Sequence, residues 1–262
     1  MATIKDVARE AGVSTATVSR VINNADKVGD KTRSKVKSVM KKLGYTPDAN
    51  ARALKTQKSA TLGVVIPDII DPFFASLANG VEEVASNKNM QMLLSTGKLS
   101  AESELRAINL LAERRCEAIV FHSKLLSDAT LVNLSKKIPG LILIDRYIKE
   151  IPEKCVWLDN YEGGKIAARH LLALEHKNIA FITSNYEIDD PKLRFGGFKA
   201  VIESADLRIL PNLTVNNEPT LKGGELAAQE LLAQKDCFSS VFAYNDAMAI
   251  GAKSGLEGNG FS

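Results

Sequence analysis

The sequence predicts two kinds of fold on one chain of 262 residues: an all-α helix-turn-helix domain at the N-terminus and an α/β body built on parallel sheets. Three observations carry this. Three short amphipathic stretches with a tight glycine turn open the chain. From Thr61 onward, short apolar runs alternate with longer amphipathic stretches, the pattern of strands covered by helices. Charge is segregated as well: residues 1–61 hold thirteen Lys and Arg against five Asp and Glu, and the remainder holds twenty-one against twenty-six. A basic head on an acidic body is the footprint of a protein whose head alone meets phosphates.

The first stretch begins at Thr3-Ile4-Lys5-Asp6, a capping box with Asp in place of Glu or Gln, and continues with Ile4, Val7, Ala8 and Ala11 at helical spacing. Gly12-Val13-Ser14 ends it: Gly12 turns the chain, Val13 buries in the corner, and Ser14 caps the next helix. That helix runs from Thr15 to about Asn23, with Val18, Val21 and Ile22 inward. A third follows Gly29-Asp30 with Thr32, Val36, Val39, Met40 and Leu43 on one side and six Lys and Arg mostly on others. In such a domain the second helix enters the major groove N-terminal end first, so Thr15, Ala16 and Arg20 are the candidate base readers. Arg20 is suited to a bidentate contact with guanine, and Ala16 and the Thr15 methyl to thymine methyls. Ser14, Thr17, Ser19 and Asn23 carry hydroxyl or amide groups suited to phosphate oxygens, and Thr3, Thr32 and Tyr45 join them as candidate backbone contacts.

In the body, strands are expected at 62–66, 91–94, 118–121, 141–144, 156–158, 179–182 and 241–243. The helices include 73–87, 101–114, 163–174, 192–204, 221–232 and 246–256. Ligands of parallel sheets bind beyond the carboxyl ends of strands. The residues there are Asp68, Asp71, Phe73 and Phe74, then Asp145 and Arg146, then Asp159 and Asn160, then Asn245 and Asp246, with Arg194 in the segment Arg194-Phe195-Gly196-Gly197-Phe198. Acids, amides and arginine beside aromatic rings suit a neutral sugar. Structural roles stand beside this reading: Asp68 and Asp71 as turn residues, Asp246 as a helix cap, one of Phe73 and Phe74 as core.

Several function classes are excluded. No run of 18 apolar residues and no apolar leader appear, so neither a membrane span nor a signal peptide is expected, and the protein is expected in the cytoplasm. Cys116, Cys155 and Cys237 are odd in number and widely spaced, which argues against disulfides or a zinc cluster. His122, His170 and His176 lack metal-ligand spacing. Neither nucleotide-binding glycine motifs nor a G-x-S-x-G elbow is present, so no catalyst, metal or cofactor is assigned.

The string from Ile4 to Asn24, IKDVAREAGVSTATVSRVINN, resembles the head of lactose-repressor and galactose-repressor family proteins, and its start is similar to galactose repressors in particular. DANARALK at 48–55 resembles the family's hinge helix. The resemblance implies that this segment folds when two copies meet on a palindromic operator, with Leu54 wedged into the minor groove, Ala51 beside it and Arg52 on phosphate. DPFF, the Arg-x-x-Gly-aromatic segment and NDAMAIGA resemble the family's effector-domain motifs, which are in turn similar to periplasmic sugar-binding proteins. By that resemblance Arg194 and Asn245 contact the effector, Phe73 or Phe74 stacks on its ring, and Asp145, Arg146 and Asp159 support them. The implied organisation is a helix-turn-helix domain at 1–46, a hinge and linker at 47–60, and effector subdomains at 61–160 and 161–262. Family members continue for several dozen residues past the point matching Ser262, so the second sheet is expected to be incomplete, with an open edge. The implied function is a dimeric transcriptional repressor of a sugar-utilisation operon, its partners double-stranded operator DNA and a small, galactose-like sugar. Two other readings stay open here: a remnant that binds DNA or is inert without sensing sugar, and a free sugar-binding protein.

Overall fold

The computed structural model describes residues 2–23, 25, 27–46 and 59–261. The chain divides into two compact units, Met1–Ile142 and Leu143–Ser262. The first unit holds the helical head, made of α1 (Ile4–Ala11), α2 (Thr15–Ile22) and α3 (Asp30–Leu43). Local chemistry sets each boundary. The Thr3 hydroxyl accepts the Asp6 N–H while the Asp6 carboxylate accepts the Thr3 N–H, closing the capping box. Gly12 ends α1 at φ 65°, a left-handed backbone that costs a residue with a Cβ more than glycine. Ser14 caps α2 by accepting from the Thr17 N–H. Val7, Ala8, Ala11, Val18, Val21, Val28 and Val36 form the buried centre, and Val13 packs into the corner against it. Lys42 at the end of α3 is paired with Glu10 on α1 at 2.7 Å.

The body contains two sheets. Strands β1 (Thr61–Ile66), β2 (Gln91–Thr96), β3 (Ala118–His122), β4 (Leu141–Ile144) and β5 (Cys155–Val156) lie in the order β2-β1-β3-β4-β5. β1 runs parallel to both β2 and β3, with Leu62 opposite Met92 on one side and Ala118 on the other. The connecting helices are α4 (Pro72–Asn87), α5 (Ala101–Glu113) and α6 (Asp128–Lys137). The order reverses between β1 and β3, and open α/β sheets bind their ligands outside the strand ends at such a switch point.

The second sheet has the order β7-β6-β8, from β6 (Ile179–Ser184), β7 (Thr214–Asn217) and β8 (Ser240–Ala243), all parallel. Four helices cover it: α7 (Asn160–Ala173), α8 (Asp189–Ser204), α9 (Leu221–Leu232) and α10 (Asp246–Glu257). Its core has two sides. Phe181, Phe198 and Ile202 fill one, and Ile182, Val215, Leu231 and Met248 the other. β8 is an edge strand, and along it and α10 runs an apolar hollow of about 370 Å3 lined by Phe238, Val241, Ala252, Leu256 and Phe261.

Three expectations are corrected. The strand expected at 156–158 is Cys155–Val156, because β4 stops at Ile144 and the Asp145 N–H takes the last carbonyl, that of Val156; Trp157 and Leu158 are then exposed. Helices α7 and α8 begin one turn earlier than their periodicity suggests, α7 because Asp159 caps it and α8 because Asp189, Asp190 and Pro191 form a favourable first turn. β7 was not expected at all, since Thr-Val-Asn-Asn lacks an apolar run.

Candidate DNA-reading helix and effector site

On α2, Thr15, Ala16 and Arg20 are exposed while Val18 and Val21 are buried, so one face is anchored and the other presented. Ala16 and Arg20 stand one turn apart and share that face. The Arg20 guanidinium is engaged by no side chain among the described residues. The candidate phosphate contacts divide by environment. Ser14 is exposed and shares a 2.9 Å hydrogen bond with Thr17, which is half-buried. Asn23 Nδ2 stands 3.5 Å from Ser19 Oγ, and Thr32 sits half-buried in the first turn of α3. Tyr45 packs partly against the head core, and Thr3 belongs to the capping box. Hydrogen bonding from Thr3 holds the Asp6 carboxyl below its usual range, with Arg9 adding to the effect. The hinge candidates Ala51, Arg52 and Leu54 lie outside the described residues.

In the first unit, the segment after β1 is a chain of local hydrogen bonds. Asp68 accepts from the N–H groups of Ile70 and Asp71, and Asp71 caps α4 by accepting from the Phe73 N–H at 2.9 Å. Both acids are therefore turn and cap residues, and this places the two aromatics. Phe74 is half-buried, edge-on to the His122 ring at 4.9 Å and to Phe73 at 5.2 Å, whereas Phe73 is 55% exposed. Phe74 is the core member of the pair and Phe73 the one that presents a face.

In the second unit, Arg194 is held on more than one side. Helices α7 and α8 cross at a glycine seam: a Cβ at Gly164 would lie 2.0 Å from the Arg194 carbonyl oxygen, and one at Gly197 would lie 1.8 Å from that of Tyr161. This contact of backbone on backbone sets Asn160, one turn ahead of Gly164, beside Arg194. Arg194 Nε donates to Asn160 Oδ1 at 2.7 Å and Nη1 to the Tyr244 carbonyl at 2.6 Å, with the guanidinium 4.7 Å from the centre of the Tyr244 ring. Asn160 itself is buried. Asn245, adjacent to Tyr244, caps α10 through Oδ1 and donates from Nδ2 to the Pro219 carbonyl. Asp246 therefore stands in the first turn rather than at the cap. Asp159 caps α7 from an exposed position, and Asp145 and Arg146, half-buried, follow β4 with Asp145 at φ 57°. Arg194, bonded to the Tyr244 carbonyl, and Asn245, the next residue along the chain, thus both lie at the carboxyl end of β8. Of the two groups that hold Arg194, Asn160 is legible in the sequence by its position after a strand but not as a partner of Arg194, and Tyr244 carries no sequence signal.

An exposed, basic helix-turn-helix joined to parallel-sheet units with polar groups at their strand ends defines a DNA-binding regulator with a ligand-sensing body. Residues 3–48 match the family described as bacterial regulatory proteins, lacI family, and residues 59–262 match the periplasmic binding proteins and sugar binding domain of LacI family. The chain is 43% identical to the HTH-type transcriptional regulator GalR of Salmonella typhimurium over 99% of its own length and 76% of that protein. It is 41% identical to GalS of the same organism over 100% and 77%. Among solved structures, the lac repressor dimer bound to operator and the anti-inducer ONPF matches with a TM-score of 0.86 at 22% identity, covering 99% of this chain and 78% of that one, which speaks to the fold. The chain belongs to the lacI family of bacterial regulatory proteins. It is a DNA-binding, sugar-responsive transcriptional repressor and not an enzyme. Among the described residues no helix is long and apolar enough to cross a membrane.

Proposed function

We propose that this repressor acts in the cytoplasm as a homodimer on a palindromic operator of a sugar-utilisation operon, and that a galactose-like sugar sets its operator affinity. The observation that carries the reading is the conjunction of an exposed Thr15-Ala16-Arg20 face with an arginine already held in place at the strand ends of the body. Thr15, Ala16 and Arg20 read bases, while Thr3, Ser14, Thr17, Ser19, Asn23, Thr32 and Tyr45 set register on the phosphates. Leu54 enters the central minor groove with Ala51 beside it and Arg52 on the backbone. In the body, Arg194 and Asn245 bind sugar hydroxyls and Phe73 offers its face to the ring, with Phe74, Asp71, Asp145, Arg146 and Asp159 supporting. The galactose class is supported by the similarity to GalR and GalS. The functional boundaries are 1–46, 47–60, 61–160 and 161–262.

The sugar acts by binding one arrangement of the two effector subdomains better than the other, which shifts the population of the DNA-binding form. Fluorescence anisotropy on a palindromic operator tests this. Tight binding that weakens steeply with salt, and that changes at least several-fold when galactose is added, is the expected result. Operator binding indifferent to galactose and to related sugars, in a folded sample, refutes the effector assignment; no preference for operator over random DNA refutes the whole reading.

A further inference from the structure

Glu104 is an acid where the fold has no evident use for one. It sits in the first turn of α5 and is 2% exposed. Burying a carboxylate is unfavourable unless donors replace its water, and here they come from a single segment, the one that follows β3. Oε2 accepts from the Ser123 hydroxyl at 2.7 Å and from the Leu126 N–H at 3.3 Å, and Oε1 accepts from the Lys124 N–H at 3.2 Å.

The same side chain meets the end of β2. A Cβ at Gly97 would stand 2.9 Å from Glu104 Cγ, so position 97 is kept bare to admit the glutamate stem. Gly97 and Lys98 in turn donate to the carbonyls of Ile66 and Pro67 at the end of β1, at 2.8 and 2.9 Å. Lys98 and Leu99 adopt φ of 51° and 46°, a conformation that persists where the surroundings dictate it. Thus the ends of β1, β2 and β3 are connected through one buried carboxylate at the switch point between β1 and β3. Asp68, Asp71 and Phe73 follow directly from the first of these ends, and His122, which backs Phe74, is the last residue of the third.

We infer that Glu104 is a positioning residue of the effector site: it sets the three strand-end segments in their ligand-binding arrangement without reaching the ligand. The inference rests on the sugar-binding role proposed above. Hydrogen-bond networks of this kind give a site one conformation where an apolar filler would allow several. Glu104→Gln keeps the volume but turns an NH2 group toward donors, so the amide cannot accept from all three.

The test uses the full chain. In the E104Q protein, amide exchange at Gly97, Lys98, Lys124 and Leu126 is expected to quicken at least tenfold. Galactose affinity by calorimetry falls about tenfold or more, while sugar-free operator affinity stays within twofold. A purely structural role would lower the melting temperature without separating sugar from operator binding. Ser123→Ala, which removes one of the three donors and leaves the backbone bonds, gives a second measurement should E104Q not fold: a galactose affinity several-fold weaker supports the inference, and an unchanged one overturns it. Unaltered exchange in E104Q, or quickened exchange with galactose affinity within twofold of the parent, overturns it too. If the parent protein binds neither galactose nor related sugars, the effector assignment fails and the inference with it; if the parent binds and E104Q binds equally, the inference alone fails.

Discussion

The candidate DNA-reading helix α2 and the Arg194 cluster present polar side chains in opposite ways. On α2 the candidate readers stand exposed on a helix fixed from behind by Val18 and Val21, and no side chain among the described residues engages Arg20. In the body, Arg194, Asn245, Asp71 and Asp159 each already hold a hydrogen bond to their own protein. The difference teaches where rigidity is supplied. A duplex is long and stiff and contributes its own order, so a side chain meant to read it needs little more than a firm helix beneath it. A small ligand contributes little, so side chains that are to bind one gain from being ordered beforehand.

This contrast is broken most directly at the glycine seam. Gly197→Ala should cost about 3 kcal/mol or more in urea unfolding of the second unit, because the new methyl meets a backbone carbonyl that cannot rotate aside. Gly163→Ala, one position before the seam residue Gly164 and with nothing within 4 Å, should instead stabilise by about 0.5–1 kcal/mol. Equal effects would discard the seam.

The ordering of Arg194 is sharpened by Asn160→Ala, which strands Nε–H and should weaken sugar binding about 10–100-fold in calorimetry. Asn160→Asp, which restores an acceptor, should recover most of it. On the head, Arg20→Ala should relax discrimination by about 1–3 kcal/mol at one base pair per half-site, read from binding to single-base operator variants. A uniform loss across all variants would make Arg20 a phosphate contact.

The smallest effect concerns acid. Because Asp6 is held below its usual range in the folded head, its contribution is fully present above the unfolded carboxyl value near about pH 3.9 and is lost as pH falls through the depressed folded value. Exchange protection of α1 should therefore decline more steeply below about pH 4 in the parent than in Asp6→Asn.

The head was almost wholly legible in its sequence because its signals are local: Thr3 and Asp6 are three residues apart, and Gly12 and Ser14 act within one turn. The strands of the body were legible where runs are apolar, and β7 was not because Asn216 and Asn217 belong to it. The candidate site was legible as a set of strand-end positions but not in the partners that hold its side chains. Asn160 and Tyr244 reach Arg194 from 34 and 50 residues away, and no local pattern records that. Glu104, beside Glu102 in a helical first turn, reads as a solvated acid until the fold places Ser123 and Lys124 over it. Gly164 and Gly197 carry no local signal of the seam, since their reason is the neighbouring helix and not their own.

That seam also has a mechanical meaning. Where two helices touch through side chains, rotamer changes give play between them, and a push on one is partly absorbed before the other moves. α7 and α8 meet through carbonyls and bare α-carbons at Gly164 and Gly197, with no rotamer at those points to yield. A force applied at Arg194, near the start of α8, therefore reaches the start of α7 at Asp159 and Asn160 with little backlash, as through a gear cut without clearance.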